Sequence, residues 1–201
     1  MDFEGIKLYM SQKMENGFPA HLHYHNPTHI WDVYQAATKL AASERISSYE
    51  TKLLLTAVLF HDAGFMEGAI SHEEKSCNMA RQDLPQFGFQ PTETEIICQL
   101  IMATRIPQNP QNHLEEIICD ADLDYLGRQD FWEIGNKLYE ELKHFGLTSD
   151  LKDWNKKQVS FLESHNYFTN SSQKLRNPEK EKHLAELKTW LNNRNDHHQK
   201  V

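Results

Sequence analysis

The sequence predicts an all-α fold. Apolar residues recur at three- and four-residue spacing in segment after segment, helix-type caps punctuate the segments, and the alternation and Asn-Gly turns that mark strands are nearly absent. With 201 residues against roughly 150 per domain, one domain over 1–201 is expected.

Each element has its own signal. Asn26 is a cap and Pro27 suits the first helical position, after which Ile30, Val33, Tyr34, Ala37 and Leu40 make one face apolar. The next segment, about Tyr49 to Asp62, holds Leu53, Leu54, Leu55, Ala57, Val58, Leu59 and Phe60. It is apolar all round, so it should be the central buried helix. Ser71 to Glu74 has capping-box spacing and opens a helix to about Leu84; Thr92 to Glu95 does the same for a helix to about Thr104. A polar loop from Ile106 to Asn112 leads to a helix with Leu114, Ile117, Ile118 and Ala121 inside, expected to end near Gly127. Further helices are expected over about 129–144, 150–165 and 178–193, the last opened by Asn177-Pro178.

Composition excludes several function classes. The formal charge is -8 and no Lys/Arg block stands out, so a nucleic-acid polymer or an anionic membrane surface would be repelled. The apolar run from Leu53 to Phe60 is far shorter than the about 20 residues of a membrane span. The N-terminus, Met-Asp-Phe-Glu-Gly, is acidic where a secretory or mitochondrial leader is basic, which makes the cytoplasm the expected location. Cys77, Cys98 and Cys119 form no Cys-x-x-Cys pair and read as core thiols.

The unusual number is 12 histidines. His21, His23, His25 and His29 crowd one short segment, and His29 shares a helix face with Asp32, which can hold its imidazole in one tautomer. His61-Asp62 stands at the end of the apolar helix, which delivers both polar groups towards the interior, and a bound cation would satisfy both. Asp120, Asp122 and Asp124 follow about 60 residues later and point in different directions on a helix. Each feature also has a bland reading: surface histidines, a helix end emerging into water, and a solvated acidic face.

Taken together, Tyr24-His-Asn-Pro-Thr-His29-Ile-Trp-Asp-Val33, His61-Asp-Ala-Gly-Phe65 and Ala121-Asp-Leu123 resemble the H…HD…D signature of the HD-domain superfamily of metal-dependent phosphohydrolases. The first block also resembles one in cyclic-nucleotide phosphodiesterases of the same superfamily. The resemblance implies a compact multi-helix HD-domain bundle with a buried metal site, a motif-bearing core over about 20–127 and C-terminal helices over about 128–195. It implies that His29, His61, Asp62 and Asp122 bind a divalent metal ion, with Asp120 in reserve for Asp122. Two imidazoles and two carboxylates suit Mn²⁺, Mg²⁺, Co²⁺, Ni²⁺, Zn²⁺ or Fe²⁺ alike. Such a cation lowers the pKa of water and offsets phosphoryl charge. Asp62 would orient the water, and His25 matches the phosphodiesterase general acid that protonates the leaving oxygen.

His72, Lys75 and Arg105 are the candidate phosphate-binding residues, since phosphate needs cationic partners; His113 is a weaker candidate. The C-terminal segment, with His165, Tyr167, Phe168, Lys174, Arg176 and Lys182, is read as helix packing with a charged outer face, or as a cover holding a base or sugar. His144, His183, His197 and His198 are read as surface residues. The expected substrate is a small phosphorylated metabolite, a nucleotide first. After His61-Asp62 the chain continues Ala-Gly-Phe-Met and not His-Pro-Gly, a departure from the phosphodiesterases. The competing readings are a di-iron HD oxygenase and a non-catalytic metal-stabilised sensing domain; oligomeric state is left open.

Overall fold

A computed structural model describes residues 1–196. Among the described residues the chain is helical with no strand, and it divides into two compact units, Met1–Leu123 and a second beginning at Asp124. No single helix among them is long and apolar enough to cross a membrane.

The first unit holds six helices: α1 (Phe3–Gly17), α2 (Pro27–Ser43), α3 (Ser48–Phe60), α4 (His72–Asp83), α5 (Pro91–Ala103) and α6 (His113–Asp122). Ser47 and Glu50 form a reciprocal capping box at the start of α3. Every residue of α3 from Leu53 to Phe60 is buried, as its all-round apolar sequence requires, and α1, α2, α5 and α6 pack against it. A 3-10 turn, Ala63–Glu67, leads from the end of α3 to α4 and packs closely on it. Three other boundaries depart from sequence expectation. Ser71 takes a left-handed conformation (φ 54°, ψ 41°) and caps nothing with its side chain, so the box expected at Ser71–Glu74 does not form. The box expected at Thr92–Glu95 lies two residues earlier, with the Gln90 N–H donating to Glu93 Oε2 (2.7 Å). Finally, α6 ends at Asp122 and not near Gly127, because Leu123 leaves helical geometry.

The second unit contains a 3-10 turn (Asp124–Gly127), α7 (Phe131–His144), α8 (Leu151–Ser164) and α9 (Asn170–Asp196). Here the expected start at Asn177-Pro178 is wrong, since Pro178 lies inside α9. Thr169 caps the true start, its Oγ1 accepting from the Ser172 N–H. The inward face of α9 runs Ser172, Arg176, Lys180, His183, Leu187, and its first four members are polar. Arg176 makes a two-pronged ion pair with Asp124 (2.6 and 2.9 Å), which also meets Arg128.

Candidate functional site

Three helix ends in the first unit converge. At the start of α2 the Asn26 side chain accepts from the Thr28 and His29 N–H groups and Pro27 occupies the first helical position, which sets His29 in the first turn, facing inward. The apolar α3 ends inside the unit, so His61, the residue after it, is 1% exposed. At the end of α6, Asp122 completes the set.

The polar atoms meet closely. His29 Nε2 lies 3.2 Å from Asp122 Oδ1 and 3.3 Å from Asp62 Oδ2. His61 Nε2 lies 3.3 Å from Asp62 Oδ2 and 3.4 Å from Asp122 Oδ1. The two Nε2 atoms are 3.4 Å apart. His61 Nδ1 donates to the Val58 carbonyl (2.8 Å), which places the neutral ring's proton there and leaves the Nε2 lone pair aimed at the cluster.

Burial disfavours every charge in this cluster, yet the pairings win. Burial pulls the His29 imidazolium down, but the hydrogen bonds and charges of Asp122 and Asp62 outweigh it and raise its pKa to about 10. His61 is raised by Asp62 and Asp122 against the same opposition. Burial pushes Asp122 up; His29 and His61 overcome this and bring it to about 2. Asp62 is held well below the usual carboxylate range, against its burial, by His61, His29 and His72.

This donor set fits a divalent cation. With both imidazoles neutral, two lone pairs and two carboxylates face one point, an arrangement that needs a positive charge at its centre. His29, His61 and Asp122 each offer one atom within 4.8 Å of the others, and Asp62 Oδ2 is 3.3 Å from both imidazoles.

The other predicted residues distribute unevenly. His72 joins the cluster's edge, with Nε2 3.4 Å from Asp62 Oδ1; burial lowers its pKa, but Asp62 raises it further. His25 is half-buried, its ring 6.1 Å from that of His29 and 6.2 Å from that of His72. Lys75 turns back to donate to the Glu67 and Gly68 carbonyls (3.0 and 2.9 Å), tying down the loop before α4. Arg105 is engaged by Glu73 and Glu74 on α4. His113 is exposed between Glu44 and Glu116. Of the three acids in the α6 motif, Asp122 has its carboxylate on the two imidazoles, Asp124 serves the second unit's arginines, and Asp120 is buried in α6.

In the second unit Tyr167 is buried, Lys182 pairs with Glu179 and Arg176 with Asp124. His144 is exposed, but His183 is not the surface residue expected: it is buried, bonded through Nδ1 to the Leu126 carbonyl (3.0 Å) and stacked on Phe131. His197 and His198 lie outside the described residues.

Sequence reasoning passed over two residues that build the site. The Ser76 hydroxyl donates to the His61 carbonyl and accepts from the Gly64 N–H (2.8 Å each), joining α4 to the segment that carries His61-Asp62. Phe65 lies against both His25 and His72, with ring centroids 4.1 Å from each. Its place three residues after Asp62 was the available signal.

Residues 28–124 match the family model of the HD domain. No curated protein matches the chain. Among solved structures, a predicted HD superfamily hydrolase from an uncultured Thermotogales bacterium is similar, with 18% identity and a TM-score of 0.59 over 94% of this chain and 91% of that one. Bacillus subtilis YpgQ, solved in complex with ADP, is similar with 14% identity and a TM-score of 0.64 over 95% of this chain and 97% of that one. The matched segment, just under half of the chain, contains His29, His61, Asp62 and Asp122 and is an HD domain.

Proposed function

We propose that the protein is a metal-dependent phosphohydrolase that cleaves a phosphate ester of a small metabolite, a nucleotide first. The observation that carries this reading is the convergence of two imidazole nitrogens and two carboxylates within an HD domain. His29, His61, Asp62 and Asp122 would hold the cation, whose Lewis acidity serves a water nucleophile and a phosphoryl oxygen. Asp62 turns Oδ2 to His29 and His61 and Oδ1 to the half-buried His72, which supports Oδ1 as the atom that orients the water. His25, beside that position, protonates the leaving oxygen. His72 is the first candidate for the phosphate. Lys75 and Arg105 reach it only by giving up their present partners, which makes them weaker clamps than their charge suggests. The ADP bound to YpgQ supports a nucleotide as the first class to try.

Metal-loaded protein incubated with nucleoside mono-, di- and triphosphates, cyclic nucleotides and generic phosphoesters tests the reading. Release of phosphate or of a nucleoside product from at least one class is expected, and the bond cleaved separates monoesterase from diesterase. No turnover of any of them with a full metal complement refutes it. A di-iron oxygenase is the second reading, favoured by the way Asp62 presents one oxygen to the His29–His61 pair and the other to His72. Two irons per chain in the purified protein would select it.

A further inference from the structure

We infer that Phe65 is a positioning residue: its ring fixes the orientation of His25, the proton donor, and holds His72 in register beside it. The inference rests on the phosphohydrolase reading above. The His25 ring lies nearly parallel to that of Phe65, at 4.1 Å and 15°, while Tyr24 meets His25 edge-on at 4.7 Å and 85°. His25 is therefore bounded by a flat face and a perpendicular neighbour, which leaves its ring one plane to occupy. The same Phe65 ring touches His72 at 4.1 Å and 31°.

Phe65 itself has little freedom. Its N–H donates to the Asp62 carbonyl (3.0 Å), so its position is set from the aspartate of the His-Asp pair. The preceding residue, Gly64, is pressed so tightly on the first turn of α4 that a Cβ there would stand 1.9 Å from the His72 carbonyl oxygen. Ser76 and Lys75 fasten the two ends of this segment to α4. An aromatic ring held this firmly, with two imidazoles of the site as neighbours, differs from a core phenylalanine packed among aliphatics. It ties the proton donor to the turn that follows Asp62, whose carbonyl accepts from the Phe65 N–H. Proton transfer to a leaving group is worth about 10²–10⁴ in rate only while the donor stays within hydrogen-bond reach.

The test compares wild type, Phe65→Leu and Phe65→Tyr, all loaded with Mn²⁺, on two substrates. p-Nitrophenyl phosphate expels p-nitrophenolate, which leaves without protonation, whereas a nucleoside 5′-monophosphate has an alkoxide leaving group that needs a proton. Phe65→Leu is expected to lower kcat for the nucleotide by about 10- to 100-fold and for the aryl ester by less than about 3-fold, with Mn²⁺ content unchanged, and Phe65→Tyr to recover most of the loss. Equal losses on both substrates would mean a merely structural role and overturn the inference. A crystal structure of Phe65→Leu decides independently of turnover: His25 in its original plane refutes the positioning role, and a rotated or multiply placed ring sustains it. If wild type hydrolyses neither these two esters nor any of the phosphoesters named above, the phosphohydrolase reading fails, and the crystal structure still decides whether Phe65 holds the ring.

Discussion

Stripping the protein with a chelator and restoring Mn²⁺ at a series of pH values probes the four-residue cluster directly. In the stripped protein His29 carries a proton, because Asp122 and Asp62 outweigh the opposing effect of burial and raise its pKa to about 10. A cation needs the Nε2 lone pair and must displace that proton. At about pH 7, three units below, the competition weakens binding by about 1,000-fold, ~4 kcal/mol at about 1.4 kcal/mol per unit. Affinity should therefore rise about tenfold for each unit between about pH 6.5 and 8.5. The stabilities run in opposite senses. His29, raised from 6.5, contributes stability to the stripped protein that is fully present below about 6.5 and is lost as pH rises through about 10. Asp122, lowered from 3.8, contributes stability present above that value and lost as pH falls through about 2. The cation's contribution grows with pH, so the difference in Tm between loaded and stripped protein should widen from about pH 6 to 8.5. Titration calorimetry in two buffers of unlike ionisation enthalpy, at about pH 7, should find about one proton released per ion. Affinity that is flat with pH, with no proton release, would refute the reasoning.

Three further outcomes follow from particular contacts. Gly64→Ala places a Cβ 1.9 Å from the His72 carbonyl oxygen and 2.8 Å from its carbon, so backbone must move; a loss of about 3 kcal/mol in urea unfolding, with weaker Mn²⁺ binding, is expected, and a wild-type midpoint would show that the turn is looser than it looks. Asp124→Asn removes the charge that meets Arg176 and Arg128 in the second unit, where Asp124 is buried and the guanidiniums are mostly so; unfolding of that unit, followed by hydrogen exchange, should become easier by about 2–4 kcal/mol. His165 is lowered to about 4 by burial and by Lys180. Folding therefore disfavours its protonated form, so stability in this unit should fall as pH drops from about 6.5 towards about 4. An imidazole NMR signal that already titrates near pH 6.5 would contradict the burial seen here.

What could be read from sequence divides by whether a signal is local and apolar. Asn26-Pro27 and the Leu53–Phe60 run announce their elements within a few residues, and the structure follows them. His61-Asp62 stood out because it ends an all-apolar helix, and the structure buries both residues where a helix end emerging into water was the alternative. Asp122 was singled out from Asp120 and Asp124 by the superfamily resemblance, since their spacing alone assigns no face to the cluster. The start of α9 and the burial of His183 were missed for one reason: the inward face, Ser172, Arg176, Lys180 and His183, is polar, and hydrophobic periodicity cannot see a face held by ion pairs and carbonyls. Ser71 failed as a cap because Lys75 ties down the loop before it, and the chain enters α4 through a left-handed residue. No residue pattern records such a tether.

The cluster and its margin also explain how one segment serves two demands. A site for a divalent cation has to be dry and rigid, so that its carboxylates stay deprotonated and its imidazoles keep one tautomer; a phosphoester has to reach it from water. The first demand is met by helix ends in the core: His61 is fixed by the Val58 carbonyl, and both aspartates have their pKa values lowered by the imidazoles. The second requires that one ligand point both ways, and Asp62 does, with Oδ2 inside and Oδ1 towards the half-buried His72. The residue that turns the chain must follow within a residue or two, and it must be small, because α4 brings His72 against it. Gly64 meets that condition, and Phe65 then lies against the two histidines at the cluster's edge. Enlarging Gly64 should therefore disturb more than packing. It moves the first turn of α4 away from Asp62 and separates His72 from Oδ1, so on the proposed reading it weakens substrate binding even in protein that still folds and binds its metal.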